Sequence, residues 1–512
     1  MNDSRKLQYI TEKSLSKAKR CPKLLWHDIH EPRDKPKLSR LAQWQKDQID
    51  EMMVWAQGYF SEGILIEDKE ESLAFEATQK AMAGDAPVII NGAFVYRGLL
   101  LRADIVERNE DGSWNLIVIK AASRLKHQHV PDVAFQHWGC MGYGLKIKKS
   151  SLLLINNKYI RQDNIEPNKM FYLVDVTHML KNKGPRVDSI DKAVAMANAN
   201  TPQKVETGSQ CERPYPCLYM DLCHTNYVAP EVQPATQIKG KFKDKVYPID
   251  HVFSLGKRKG RILVEKGIKR LKDIPPKFKL DPLEKIKQKV GIENKAHVNT
   301  VSIRRQLDTL VYPIYFLDFE LFAPLIPAYK GTGPYGAIPF QYSLWVKRSP
   351  TDEAVALSDY LHREQASDPR PGVVKNLTDH IGESGSIVVY SLDTEKTVLN
   401  KLADFSSEHK NTLNNMADRL WDLAPIFKND YIHPQFRGRF SIKVVLPTLV
   451  PRLSYVDLDV DDGRIASDSW EAWHAGAYEG NADRLHDDLV KYCSLDVEAM
   501  VRLLEVVEKA IV

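Results

Sequence analysis

The sequence predicts an α/β protein that contains more than one domain. Its 512 residues exceed the roughly 250 to 300 residues at which a single hydrophobic core stops growing. Each half of the chain alternates short runs of β-branched and aromatic residues with helical patterns, which is typical of α/β folds. We therefore predict α/β domains at residues 1–228 and 306–512, joined by a basic helical connector at residues 229–305.

The composition argues against a membrane protein. The chain is 43% hydrophobic and 27% charged, which is ordinary for a soluble globular protein, and its net charge is +5. It has no uninterrupted apolar run of the roughly 18 residues that span a membrane, and its first twenty residues lack the apolar core of a signal peptide. We expect a cytoplasmic protein without a membrane partner.

The first α/β region is predicted from four consecutive stretches. "APVIINGAFVYRGLLLRADIVER" and "GSWNLIVIKAAS" are typical of strands, and the turn-like "NEDG" separates them. The next stretch, "VPDVAFQHWGCMGYGLKI", predicts a helix, and "SSLLLINN" predicts a further strand. Together they indicate a mixed α/β unit.

Four of the six cysteines form a candidate metal site. Cys211, Cys217 and Cys223 are separated by five residues each, and Cys21 precedes them by nearly two hundred residues. In a reducing cytosol such clustered thiols are first weighed as metal ligands, since four thiolates can hold zinc or a [4Fe-4S] cluster. Short zinc ribbons use cysteine pairs two to four residues apart, which this spacing does not provide; unliganded thiols are the third alternative.

This arrangement resembles the RecB-like nucleases, including the CRISPR-associated RecB-like family, in which one early cysteine and three late cysteines bracket the nuclease core. The resemblance implies one [4Fe-4S] cluster that staples the two ends of the domain, with zinc as the less favoured metal.

A further resemblance, to the PD-(D/E)xK nucleases, rests on "RADIVE", "NLIVIK" and "DVAFQ". It places Asp104, Lys120 and Gln136 at the positions of a strand acid, the motif lysine and the helix glutamine. It implies a restriction-endonuclease-like fold for residues 1–228.

The same comparison indicates that this site is degenerate. Val118 replaces the motif glutamate, Asn91 replaces an upstream glutamate, and Cys140 stands where a tyrosine is expected. A hard divalent cation would keep Asp104 as its only carboxylate. We therefore interpret the N-terminal domain as a scaffold that binds nucleic acid; the alternative is that Asp104 and Lys120 are simply exposed strand residues.

The connector carries the strongest local charge. From Lys239 to Lys295 there are 18 Lys or Arg residues against 7 Asp or Glu residues. The stretch "FSLGKRKGRILVEKGIKRLKDIPP" resembles a helix-hairpin-helix element, which implies that Lys257, Arg258 and Lys259 contact a nucleic-acid backbone. A solvated connector is the alternative.

The second α/β region opens with two carboxylates on one strand. "YPIYFLDFELF", "AIPFQYSLWVKR" and "GSIVVYS" predict strands, and a long helix is predicted from about Asn481 to Val512. Because side chains alternate along a strand, Asp318 and Glu320 share one face and repel each other. The closing helix carries an apolar stripe at helical spacing, formed by Leu489, Cys493, Val497, Met500, Leu504 and Val507. Tyr492 and Asp496 are four residues apart and therefore stack at the margin of this stripe.

These motifs resemble the DnaQ-like exonucleases of the DEDDy group. The resemblance implies a ribonuclease H-like fold and two Mg²⁺ or Mn²⁺ ions. The implied ligands are Asp318, Glu320, Glu395 and Asp496, and Tyr492 would orient the attacking water. For the second-motif acid, "VVYSLDTEKTVLNKL" offers Glu395, which we favour, or Asp393.

Five stretches, "YPIYFLDFE", "IPFQYSL", "LWDLAPIF", "GRFSIKVVLPTLVP" and "YCSLDVEAM", resemble a bacterial family of unknown function. That family fuses a RecB-like half to a DnaQ-like half, and the resemblance covers nearly the whole chain. Within "FSIKVVLP", Lys443 is a phosphate contact by the same resemblance, and Asp422 has a structural role. The resemblance implies a 3′–5′ exonuclease acting on single strands or strand ends, on DNA in preference to RNA. The alternatives are a non-catalytic nucleic-acid-binding subunit of a repair, CRISPR or phage-defence complex, and a nuclease that cuts through its N-terminal domain.

Overall fold

The computed structural model describes residues 9–33, 40–181, 183–184, 187–212, 217–223, 247–453 and 462–511. Within it the chain forms two compact units. The first comprises Met1–Gln237 with Pro324–Gly336, and the second comprises Ile238–Ala323 with Ala337–Val512. The protein is a mixed α/β protein, and each unit is built on its own sheet.

The first unit contains a six-stranded sheet in the order β1-β2-β3-β4-β5-β6. Its strands are β1 (Ile64–Leu65), β2 (Val88–Tyr96), β3 (Leu99–Arg108), β4 (Trp114–Lys120), β5 (Ile147–Ile155) and β6 (Phe171–Asp175). Its helices are α1 (Glu12–Arg20), α2 (Pro22–His30), α3 (Arg40–Gln57), α4 (Glu71–Ala83), α5 (Val130–Tyr143), α6 (Pro167–Met170), α7 (Val187–Ala197) and α8 (Ser209–Glu212).

The strands of this sheet lie where the apolar runs predict them. β2 and β3 form a hairpin whose two-residue turn, Arg97 and Gly98, has positive φ at both positions, as a tight hairpin requires. The β4–β5 pair is parallel, because α5 connects the two strands across the sheet. Separate apolar clusters cover the two faces of the sheet.

The second unit contains a five-stranded sheet in the order β10-β9-β8-β11-β12 and a small β13-β7 pair. Its strands are β7 (His297–Val298), β8 (Ile314–Phe322), β9 (Ile338–Lys347), β10 (Val355–Leu361), β11 (Ile387–Val389), β12 (Leu420–Asp422) and β13 (Tyr431–Ile432). Its helices are α9 (Lys257–Glu265), α10 (Pro282–Glu293), α11 (Thr300–Leu307), α12 (Arg370–His380), α13 (Leu392–Phe405), α14 (Lys410–Asp418), α15 (Ile442–Leu449), α16 (Gly463–His474) and α17 (Ala482–Ala510).

The central strand of this sheet is β8, which pairs antiparallel with β9 and parallel with β11. Leu317 and Phe319 point to one face, where α12, α13 and α14 contribute the core. Phe316 points to the other face, where residues of α15 and α17 pack. Because Asp318 alternates with Leu317 and Phe319, it lies on the side of the sheet that α17 covers.

The described part of the basic connector belongs to the second unit. Residues 229–246 of the predicted connector lie outside the described residues. From residue 247 onward, α9 and α10 are joined through a short 3₁₀ helix, Leu271–Asp273. A small apolar core that includes Val252, Leu263 and Leu271 lies between residue 252 and the start of α10. This part of the connector is therefore helical, and its own core orders it.

Candidate active site

Strand β8 presents Asp318 and Glu320 toward helix α17. Glu320 is buried and Asp318 is partly buried. Cys493 of α17 lies directly behind the strand, with its Sγ 3.6 Å from the backbone carbonyl oxygen of Asp318. The long closing helix therefore packs against the strand segment that carries the two acids.

Helix α17 contributes Tyr492 and Asp496, which are both buried. Their neighbours Leu489, Cys493 and Val497 are fully buried, as the predicted apolar stripe requires. Because the stripe docks on the sheet, residues at its margin are carried to the strand carboxylates.

Helix α13 contributes Glu395, which is 4% exposed, whereas Asp393, two positions earlier in the same first turn, is exposed. The start of α13 is fixed by Asp422 at the end of β12. Its carboxylate accepts hydrogen bonds from the backbone N–H of Ser391 (3.0 Å) and of Leu392 (3.2 Å). Asp422 thus serves as the helix cap that aims Glu395 inward.

The four acids lie within electrostatic reach of one another. Burial is the largest cause that raises the pKa of Asp318 well above its ordinary range. The negative charges of Asp496, Glu320 and Glu395 raise that pKa further. Burial, followed by the charge of Asp496, raises the pKa of Glu320 to about 8, and burial raises that of Glu395 to about 7. Three elements distant in sequence therefore converge on one buried acidic site.

Lys443, at the start of α15, lies at the edge of this acidic site. Its Nζ donates a 2.7 Å hydrogen bond to the Oη of Tyr492, and its charge lowers the pKa of both Asp318 and Glu320. A cation beside buried acids stabilises their ionised forms. The structure thus joins Lys443 and Tyr492 in one contact at the site.

The first turn of α16 also borders the acids, which the sequence did not indicate. A Cβ placed on Gly463 would lie 3.7 Å from both the Oε2 of Glu320 and the Oη of Tyr492. The charge of Asp462, the N-cap of α16, raises the pKa of Glu320. The N-terminus of α16 therefore lies within van der Waals contact of the site.

Two further side chains of the site were missed because they looked apolar or structural in the sequence. The ligand atoms of Asp318, Glu320 and Cys493 all lie within 4.8 Å of one another, a spacing at which they could hold a metal ion. Gln341 is paired with Glu320 across the β8–β9 ladder, and its Nε2 donates to the carbonyl oxygen of Leu489 at 2.7 Å. Gln341 thus links strand β9 to helix α17 beside Glu320. The sequence does not specify the strand register that places it there.

The predicted N-terminal site residues lie close together, but each already has a partner within the protein. The Oδ2 of Asp104 accepts from the backbone N–H of Ile119 (2.8 Å), and its Oδ1 accepts from the Nε2 of Gln136 (3.1 Å). Lys120 forms an ion pair with Asp132 at 2.6 Å. The contacts of Asp104 clamp β3, β4 and α5 together.

Asn91, which stands in place of the upstream glutamate, is bonded to the side chain of Arg102. The Oδ1 of Asn91 accepts a 3.1 Å hydrogen bond from the Nε of Arg102. Arg102 also donates to the backbone carbonyl oxygens of Ile66 and Asp68. A guanidinium at this place is unfavourable for a second cation.

The four predicted cysteines line a common cavity. Cys21 is the N-cap residue of α2, and Cys211, Cys217 and Cys223 reach the cavity from the end of the described N-terminal segment. Burial raises the pKa of Cys217, and the nearby thiols of Cys21 and Cys211 raise it further. The nearly two hundred intervening residues therefore fold so that the first cysteine meets the other three.

The three connector cations differ in their surroundings. Lys257 and Arg258 are exposed in the first turn of α9, whereas Lys259 forms an ion pair with Glu284. Cations at a helix N-terminus interact unfavourably with the helix dipole, so Lys257 and Arg258 do not stabilise α9. They add positive charge to the surface at the start of this helix. No described helix is long and apolar enough to cross a membrane.

Residues 315–441 match the model of a domain of unknown function, DUF2779, and a comparison with curated proteins finds no match. The matched segment contains Asp318, Glu320 and Glu395 and ends before Tyr492 and Asp496. Residues 315–441 of this chain are therefore similar to the domain of unknown function DUF2779.

Proposed function

We propose that this protein is a metal-dependent 3′–5′ exonuclease of the DnaQ-like DEDDy type, with DNA as its substrate. The observation that carries the proposal is the convergence of Asp318, Glu320, Glu395 and Asp496 into one buried site with Tyr492 beside them. The mixed five-stranded sheet and its flanking helices support the ribonuclease H-like assignment.

The residues fit a pair of Mg²⁺ or Mn²⁺ ions. Buried carboxylates that raise one another's pKa are costly without compensating positive charge. The Oε2 of Glu395 is buried and has no hydrogen-bond partner among the described residues, so a carboxylate oxygen is available there. When bound, two divalent cations supply Lewis-acid activation of water and neutralise the charge that develops at phosphorus.

The protein's own groups then position the scissile phosphate and the water. Asp318, Glu320 and Asp496 hold acidic oxygens on one side of the site, and Glu395 supplies them from α13. Lys443 donates to Tyr492, which fixes the phenol and orients its hydroxyl toward the attacking water. The ammonium group of Lys443 also offers a phosphate contact.

The N-terminal unit and the connector bind nucleic acid in this proposal. The clamped Asp104 and the paired Lys120 favour a scaffold over a second cutting site. Lys257 and Arg258 contact the phosphate backbone, so affinity falls steeply as salt rises. Lys259, which is paired with Glu284, contributes mainly to the connector's own stability.

We further propose that the four cysteines hold a [4Fe-4S] cluster rather than zinc. Sulfur atoms around a tetrahedral zinc ion are about 3.8 Å apart, given Zn–S bonds of about 2.3 Å. Among the described residues, no three of the four thiols meet the 4.8 Å spacing at which Asp318, Glu320 and Cys493 group. The wider spacing of the cysteines favours the larger [4Fe-4S] cluster. Its role would be structural, since it would link the two ends of the unit.

The decisive experiment compares Glu395→Gln with Asp393→Asn, since these residues lie two positions apart on α13. The substrate is single-stranded DNA with a 5′ label, incubated with Mn²⁺. We expect the wild-type protein and Asp393→Asn to shorten it stepwise from the 3′ end, and Glu395→Gln to lose activity by at least about 100-fold.

A second comparison separates the two halves. Asp318→Asn should remove degradation, while Asp104→Asn should retain it. Equal activity of the wild-type and Asp318→Asn proteins would contradict the exonuclease assignment. DNA binding by a wild-type protein that never cuts would favour the non-catalytic alternative. A colourless protein containing stoichiometric zinc would contradict the cluster.

A further inference from the structure

The cavity lined by the four cysteines is also lined by an imidazole that the cysteine motif does not include. His27 lies on α2, less than two helical turns after Cys21, and it lines the same cavity as all four thiols. It is 6% exposed. Because this histidine is buried, both of its ring nitrogens need hydrogen-bond partners.

One ring nitrogen is accounted for and the other is not. The Nδ1 of His27 lies 2.8 Å from the Oε2 of Glu31, a carboxylate one helical turn away. The Nε2 is buried and has no hydrogen-bond partner among the described residues. A buried polar nitrogen without a partner is costly, so a group bound in the cavity is its natural partner.

The ring is held in place from two sides. Tyr219, which is 1% exposed and lies between Cys217 and Cys223 in sequence, stacks on the His27 ring with centroids 5.3 Å apart and planes 19° from parallel. Glu31 holds the Nδ1 edge. These two contacts fix the orientation of the ring within the cavity.

We propose that His27 is a positioning residue of the cysteine metal site, whose Nε2–H donates a hydrogen bond to a sulfur atom of the group that the four cysteines hold. This inference rests on the proposed cluster. Glu31 contacts one ring nitrogen, and the other nitrogen, which has no hydrogen-bond partner among the described residues, is the one left for the group in the cavity. Hydrogen bonds to cluster sulfurs raise the reduction potential, and His27 therefore sets that potential upward.

The test uses anaerobically purified full-length protein as wild type, His27→Leu, His27→Gln and His30→Leu. His30 is the matched control, because it also stacks on an aromatic ring, Trp26, but its Nε2 is bonded to the carbonyl oxygen of Ala197 at 2.8 Å. The readouts are iron and sulfide content, reduction potential, and nitrogen couplings in pulsed EPR of reduced protein labelled with ¹⁵N-histidine.

We expect His27→Leu to keep its iron, to have a lower reduction potential and to lose the ¹⁵N coupling. His27→Gln should restore part of the potential through its amide N–H, and His30→Leu should match the wild type. An iron-loaded His27→Leu protein with unchanged potential and coupling would overturn the role of His27 alone.

Two other outcomes are informative. If His27→Leu fails to fold, the ¹⁵N coupling in the wild-type and His30→Leu proteins still decides the matter, since its absence would overturn the hydrogen bond. A wild-type protein that holds no iron would overturn both this inference and the cluster, while leaving the exonuclease assignment to its own assay.

Discussion

Replacing Glu320 with glutamine should stabilise the metal-free protein while abolishing the proposed exonuclease activity. Burial raises the pKa of Glu320 from an ordinary 4.5 to about 8 in the folded state. Such an acid binds a proton more tightly when folded, so its contribution to stability is lost as the pH rises from about 4.5 to about 8. Glutamine has nearly the same shape and does not ionise.

The size of the effect follows from the two pKa values. At pH 7.5 the shift to about 8 corresponds to roughly 4 kcal/mol of folding free energy, and at pH 5.5 to roughly 1 kcal/mol. Glu320→Gln should therefore be more stable than the wild type at pH 7.5 and nearly equal to it near pH 4.5. The melting temperature should change by about 2 to 4 °C for each kcal/mol.

The assay is thermal unfolding in EDTA between pH 5 and pH 8, repeated with Mg²⁺. Mg²⁺ should stabilise the wild type, increasingly at higher pH, and should stabilise Glu320→Gln much less. Glu353→Gln, which changes an exposed acid of the same unit, is the control and should follow the wild type. A Glu320→Gln protein that is less stable at every pH, or whose advantage is independent of pH, would refute the reasoning.

Three further predictions concern the groups around the acids and the connector. Tyr492→Phe should reduce the turnover number by roughly 100-fold with little change in DNA affinity, as measured by single-turnover cleavage and by binding without metal. Asp422→Ala removes the cap of α13 and should cost about 1 to 2 kcal/mol in chemical denaturation, together with most of the activity. Changing both Lys257 and Arg258 to alanine should lower DNA affinity and reduce the slope of log affinity against log salt by about two, whereas Lys259→Ala should leave that slope unchanged.

The elements that the sequence predicted well are those with strong local patterns. β8 and α17 lie where alternation and helical periodicity place them, because burying one apolar face determines both. The same patterns placed Asp318 and Glu320 on one face of a strand. For the second-motif acid, the local sequence left both Asp393 and Glu395 as candidates. The structure separates them, because the helix start that Asp422 holds leaves Asp393 exposed and Glu395 buried.

The features that the sequence did not predict depend on contacts between distant segments. Gln341 joins the site through the register of β9, and Gly463 through the approach of α16. Cys493 was assigned to the apolar stripe, correctly as to burial, yet its thiol also lies beside the strand acids. His27 carries no motif at all, and its surroundings emerge only when α2 and the late cysteines meet.

The connection between β8 and β9 belongs to the first unit, although both strands belong to the second. Four residues after Glu320 the chain leaves the second unit, and residues 324–336 fold as part of the first. There Leu325 and Ile326 are buried in an apolar cluster, and Arg161 donates to the carbonyl oxygens of Pro327 (2.9 Å) and Ala328 (2.7 Å). These contacts are unavailable to a fragment that begins at residue 306, in which the apolar side chains that follow strand β8 would be exposed. Because the chain that follows strand β8 is anchored in this way, we predict that the fragment of residues 306–512 unfolds at a lower temperature than the full chain, even if the N-terminal unit cuts nothing.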